Sequence, residues 1–197
     1  MPRLPLHFQH YAGPLLILLL AGLLYGLEPW SQEYLQYDRL LIQDGQWWRL
    51  LTGHLLHTNF NHLLLNSAGV LLLWALHGQY YQYRSYLMFM LICGLGCSLG
   101  LYLFSVQLIW YVGLSGVLHG LFAWGAAMDI RHGIKSGWLL LLGLWVKVLY
   151  EQWVGPSAEV AELIGANVAI DAHLFGAATG TVLAFPALFR HFSHKEK

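Results

Sequence analysis

Long apolar runs separated by short polar breaks fill the chain, and they predict an all-α, polytopic membrane protein with a bundle of six transmembrane helices. The runs fall at about 12–27, 59–77, 85–104, 114–128, 138–153 and 166–189, against ~20 residues for a hydrocarbon core of ~30 Å. Residues 1–11 form a polar start, and Pro14 suits the opening turn of the first run. Residues 28–49 carry acids and aromatics and end in Gln46-Trp47-Trp48-Arg49, which reads as an interfacial belt or re-entrant segment. Residues 129–137 are a polar turn, 154–165 an acidic loop with Pro156, and 190–197 a basic tail. With no linker or repeat between them, residues 1–197 read as one membrane domain.

The most apolar part of the pattern contains its most informative residues. From Ser85 to Met128 there is no Asp, Glu, Lys or Arg, so these 44 residues hold two spans and little else. The turn between them falls within the membrane profile, where irregular backbone is tolerated only if buried in protein or lining a wet cavity. That turn is Gly113-Leu114-Ser115-Gly116. A helix starting there leaves its first N–H groups without intrahelical partners, and such donors suit a developing oxyanion. The same Ser-Gly pair also suits plain helix packing.

Composition supports the membrane assignment and removes other classes. The chain is 57% apolar and 10% charged, with a mean hydropathy of +0.52, whereas soluble domains carry ~25% charged residues. Its net charge is zero, and it has no basic face for nucleic acid. Cys93 and Cys97 sit one helical turn apart in an apolar run, as packing residues would, rather than as a disulfide or metal site. Placing the N-terminus inside puts Arg3, Arg84, Arg131, Lys135, Arg190, Lys195 and Lys197 on the cytoplasmic side, against Arg39 and Arg49 outside. This distribution predicts both termini in the cytoplasm. Lys147 is left inside a span with no assigned purpose.

Polar groups within spans are functional candidates by default. The second run carries His62 and Asn66, four residues apart and therefore on one helix face. The sixth carries Asp171 and His173. Counting 1.5 Å per residue to the inner boundary places His62 at ~24 Å, Asn66 at ~18 Å, Ser115 at ~21 Å and His173 at ~25 Å. Gly116 and Gly120 on the fourth run and Gly176 and Gly180 on the sixth form small faces through which two helices approach closely. A Ser115–His173 dyad is thereby within reach, with His173 as general base and His62, Asn66 and helix-start N–H groups as oxyanion donors. Asp171 is two residues from His173 and points elsewhere on the helix.

Other chemistries fit less well. No H-E-x-x-H occurs, and the search for a second membrane carboxylate to partner Asp171 in an aspartyl mechanism yields none. His54, His57 and His62 lack the second-shell acids of a metal or haem site. His54 and His57 read instead as hydrogen-bonded structural histidines at a loop–helix junction. No cofactor is expected.

These residues resemble the motifs of the rhomboid family of intramembrane serine proteases. Gly113-Leu114-Ser115-Gly116 is similar to its G-x-S-G, His62-Leu-Leu-Leu-Asn66 to its H-x-x-x-N, and Ala172-His173-Leu-Phe-Gly176-Ala-Ala-Thr-Gly180 to its A-H-x-x-G-x-x-x-G. Trp48-Arg49 resembles the W-R pair of its first outer loop. The resemblance implies Ser115 as nucleophile, His173 as base, and His62 and Asn66 as oxyanion side chains beside the backbone of Gly113 and Leu114. His119 stands where many rhomboids have a Tyr stacked on the base; it would stack likewise or compete as base. Gly116 and Gly176 would support the packing. Tyr-Val-Gly-Leu-Ser-Gly-Val-Leu-His-Gly in a short six-span chain resembles the bacterial rhombosortase subfamily. That implies an inner-membrane enzyme acting on proteins with a C-terminal Gly-Gly-type sorting tail, with water or another acyl acceptor. A non-catalytic rhomboid-like binder of membrane segments is the alternative, although such proteins typically lack the Ser or the His. A His-lined transporter or cytochrome is a third class.

Overall fold

Backbone in hydrocarbon has no water to bond, so a chain this apolar satisfies its own amides in helices. The computed structural model describes residues 4–193; Arg3, Lys195 and Lys197, three of the cations assigned inside, lie outside the described residues. The chain runs through α1 (Phe8–Gly26), α2 (Trp30–Leu35), β1 (Tyr37–Asp38), α3 (Arg39–Gln43), α4 (Arg49–Thr52) and a 3-10 turn at Gly53–Leu55. Then come α5 (Phe60–His77), α6 (Tyr83–Phe104), β2 (Trp110–Tyr111), α7 (Ser115–Arg131), α8 (Ser136–Val154), α9 (Ala158–Ile164) and α10 (Ile170–Ser193). Among the described residues, Phe8–Gly26, Phe60–Tyr80 and Tyr83–Phe104 are long and apolar enough to cross a membrane by length and composition.

Three expectations change in detail. The first helix begins at Phe8, so Pro14 lies inside it rather than in its opening turn. Pro14 has no N–H to donate to the carbonyl of residue 10. The acidic loop contains α9, whose start is capped by Ser157 accepting from the Val160 amide at 3.2 Å. The last helix begins at Ile170 rather than at residue 166.

The stretch 28–49 is a folded cap of short helices. Its β1 pairs antiparallel with β2, with Tyr37 opposite Tyr111 and Asp38 opposite Trp110. Arg39 follows β1 and donates to the carbonyls of Leu101 (2.8 Å), Tyr102 (2.8 Å), Ser105 (2.9 Å) and Leu108 (2.9 Å). Carbonyls of the last turn of α6 and of the turn after it are thus gathered on one guanidinium. Arg49 donates to the carbonyls of Glu33 (2.8 Å) and Gln36 (2.9 Å) and to Gln46 Oε1 (2.8 Å). Both arginines are buried and act as internal braces. The turn inside the membrane profile is held by the same cap, because the Gly113 amide donates to the Gly53 carbonyl at 3.1 Å.

Three helices meet along one small-residue seam. A Cβ at Gly176 or Gly180 would overlap the backbone of Gly116 or Gly120, and one at Gly116 would meet the Ala172 carbonyl oxygen at 2.8 Å. Cys93 and Cys97 of α6, both free and buried, fill the third side; Cys97 Sγ lies 3.3 Å from the Ala172 carbonyl. The seam fixes α10 against α7 at backbone distance, which positions the residues described next.

Candidate active site

Gly113 takes φ +127°, a left-handed value open to glycine, and a Cβ there would meet the His62 ring at 2.8 Å. Two bonds hold this turn: Gly53 below it, and Tyr111, whose hydroxyl donates to the Gly113 carbonyl at 2.5 Å. Leu114 is buried and precedes α7 without a side-chain cap. Ser115 is thus the first residue of α7, and the opening N–H groups have no partner within the helix.

Across the seam, His173 Nε2 lies 3.1 Å from Ser115 Oγ. His119, one turn along α7, stacks on His173 with centroids 4.1 Å apart and planes 15° apart. Its Nδ1 donates to the Ser115 carbonyl at 2.7 Å. His119 therefore packs against the imidazole of His173 and has its donor engaged by backbone.

His62 and Asn66 face the same point from α5. His62 Nδ1 lies 3.1 Å from Thr58 Oγ1 and 3.4 Å from the Thr58 amide, whose N–H can only donate. Thr58 Oγ1 in turn donates to the Ile164 carbonyl, and His62 Nε2 lies next to Gly113. Asn66 Nδ2 is buried with no hydrogen-bond partner. A buried donor without a partner is costly in an empty site, and it suits one that must receive a negative oxygen.

His54 and His57 do something else. His54 Nε2 lies 2.9 Å from both the Gly94 carbonyl and Ser98 Oγ, tying the cap to α6. Burial pushes its pKa down to about 4, so it is neutral at pH 7. His57 packs edge-on against His62, with centroids 5.0 Å apart. Asp171 accepts a short hydrogen bond from Ser105, just past the end of α6.

Sequence alone leaves Glu151 unnoticed and Lys147 without a purpose, and the structure brings both to His173. Glu151, on α8, accepts from His173 Nδ1 at 2.9 Å and from Lys147 Nζ at 2.7 Å. Lys147 also donates to His119 Nε2 at 2.7 Å. Asp171 is therefore not the single carboxylate within the apolar runs, since Glu151 falls inside 138–153 and had been passed over. Its signal was the i, i+4 spacing of Lys147 and Glu151, which puts an ion pair on one face of an apolar helix. His119, Glu151 and His173 bring ligand-type atoms within 4.8 Å of one another. The Lys147 ammonium bonds into that group, so a cation held by the protein itself already serves it.

Ser115 lies between two cavities. One, of about 540 Å³, is mostly apolar and is walled by α5 and α8 residues such as Leu65, Leu72 and Leu144, with His62, Asn66 and His173 at its polar end. The other, of about 250 Å³, lies between residues 107–112 and 164–169 and shares Ser115 and His62 with the first.

The comparisons with known proteins agree with this class of site. The Rhomboid domain family model matches residues 44–190. A protein of Bacillus subtilis (strain 168) described as "Putative rhomboid protease YdcA" is 28% identical over 159 residues, covering 79% of this chain and 74% of the relative. By class the molecule is an intramembrane serine protease. The chain belongs to the rhomboid family.

Proposed function

We propose that this chain is an endopeptidase in which Ser115 is the nucleophile and His173 the general base. The 3.1 Å separation of Ser115 Oγ and His173 Nε2 carries this reading. The Ser115 proton passes to Nε2 as Oγ bonds to the substrate carbonyl carbon. The carbonyl electron pair becomes an oxyanion held by helix-start N–H groups, the His62 side chain and Asn66 Nδ2–H. Collapse of this intermediate expels the amine, which takes the proton from Nε2. Water, or another nucleophile, then releases the acyl group from Ser115. His119 stacks on the base and does not replace it.

The substrates are membrane-anchored proteins with a C-terminal sorting tail made of a Gly-Gly-type cleavage site, an apolar helix and a basic end. Three features support this choice: the likeness to rhombosortases around Ser115, an apolar cavity beside the nucleophile lined by α5, α7 and α8, and the low cost of extending a Gly-rich segment into a narrow site. One membrane domain of six spans, in a bacterial inner membrane with both termini cytoplasmic, is the arrangement that fits the charge distribution.

Two measurements test the reading. In lipid, a fluorophosphonate probe should label the folded enzyme at Ser115 alone, located by peptide mass spectrometry; labelling elsewhere, or labelling that survives Ser115→Ala, overturns the assignment. A Gly-Gly-tailed reporter should be cut where a matched tail with bulky residues at that site is not, and equal cutting would refute the substrate class. Asn66→Ala and His62→Ala should each lower kcat by ~10²–10³ with little change in KM. The check is steady-state cleavage of the same reporter.

A further inference from the structure

Partners on every ring nitrogen fix where the protons sit around Ser115. His119 Nδ1 donates to the Ser115 carbonyl, so its Nε2 is the acceptor and accepts a hydrogen bond from the Lys147 ammonium. Lys147 also donates to Glu151 Oε2, and that same oxygen accepts from His173 Nδ1. His173 therefore carries its proton on Nδ1 and presents the Nε2 lone pair to Ser115 Oγ. The result is a ring of hydrogen bonds that leaves Ser115 through its carbonyl and returns through its hydroxyl. Each donor in it meets an acceptor.

We propose that Glu151 is a positioning residue that completes a Ser115–His173–Glu151 triad, held in place by Lys147 of the same helix. This rests on the assignment of Ser115 and His173 above. A triad acid orients the imidazole in the tautomer that can act as base and stabilises the imidazolium formed as the proton arrives. Glu151 does both through Nδ1, and it stays ionised throughout.

Lys147 makes the carboxylate necessary in a second way. Its Nζ lies 3.2 Å from His173 Nδ1, and both are donors in the working tautomer. Glu151 Oε2 accepts from both and so offsets the repulsion between the two donors. Without that charge the ammonium would donate to Nδ1, drive the imidazole proton to Nε2 and aim it at Ser115, where no base would remain. A Lys–Glu pair that merely stabilised α8 would not need to touch the base.

The test is reporter cleavage by the full chain in lipid, with unfolding temperature measured alongside. Glu151→Gln keeps size but loses charge, and it should lower kcat by ~10⁴ with KM and unfolding temperature unchanged. Glu151→Asp, which keeps the carboxylate, should cleave faster than Glu151→Gln. The double variant Lys147→Met with Glu151→Gln should recover about tenfold over Glu151→Gln, because the competing donor is gone. Cleavage by Glu151→Gln within threefold of the unsubstituted enzyme would overturn the triad while leaving a Ser–His dyad standing, provided Ser115→Ala is inactive. Cleavage by Ser115→Ala would instead remove the reading on which the triad rests. If Glu151→Gln does not fold, Glu151→Asp decides: a folded Asp variant with no activity overturns the proposal. A double variant no faster than Glu151→Gln overturns the part given to Lys147.

Discussion

His173→Ala is expected to reduce cleavage by ~10⁶-fold, the scale on which a member of a catalytic unit fails when removed alone. His119→Phe should retain easily measured cleavage, because a phenyl ring can still stack on His173. The contrast follows from geometry. His173 Nε2 faces Ser115 Oγ at 3.1 Å across two helices, leaving the space beyond Oγ for a substrate carbonyl. His119 lies on the same helix as Ser115, turns Nδ1 to the backbone and offers Nε2 to Lys147. Moving it into the base position would break both bonds and open a gap against His173. Rates from a reporter cut in lipid check the pair, and an inactive His119→Phe beside an active His173→Ala would reverse the assignment. His119→Phe should also cost some activity, since Lys147 loses an acceptor and its hold on Glu151 loosens.

The parts of this site legible in the sequence are those fixed by one-dimensional regularities. A stretch of 44 residues without a charge forced a turn into the membrane profile and singled out Ser115. Residue counts along helices placed His62, Asn66, Ser115 and His173 at similar levels, and the spaced glycines named the two faces that meet. The cap of short helices over 28–49 was not legible in this way. Its fold depends on Tyr37 pairing with Tyr111 and on Arg39 reaching carbonyls more than sixty residues away, contacts with no periodicity to detect. Arg39 and Arg49, counted as outer charges for the orientation, are spent on internal carbonyls. Glu151 was missed for a related reason. An acid near the end of an apolar run looks like the run's boundary even with Lys147 one turn before it, and only the packing of α8 beside α10 shows that it reaches the imidazole.

Gly176→Ala is expected to destabilise the bundle by ~3 kcal/mol or more, at the upper end for overpacking, and to lose activity with it. Alanine usually improves a helix over glycine by ~1 kcal/mol, so the sign is set by space. At Gly176 the added Cβ would overlap the Gly116 backbone oxygen, and neither atom belongs to a side chain that can rotate away. The helices must separate, and the seam that separates is the one holding Ser115 against His173. A shift of ~1 Å between reacting groups is enough to cost ~10² in rate, so activity should fall in the variant that remains folded as well as in the fraction that unfolds. Gly22→Ala in α1 is the matched control, because nothing lies within 4 Å of its Cβ position; its stability should be unchanged or slightly raised. Thermal unfolding in one detergent, followed for both variants with cleavage measured on the same samples, separates the cases. A Gly176→Ala protein as stable and active as the unsubstituted chain would mean that α7 and α10 are not in backbone contact, and the distance between serine and imidazole would then need another origin.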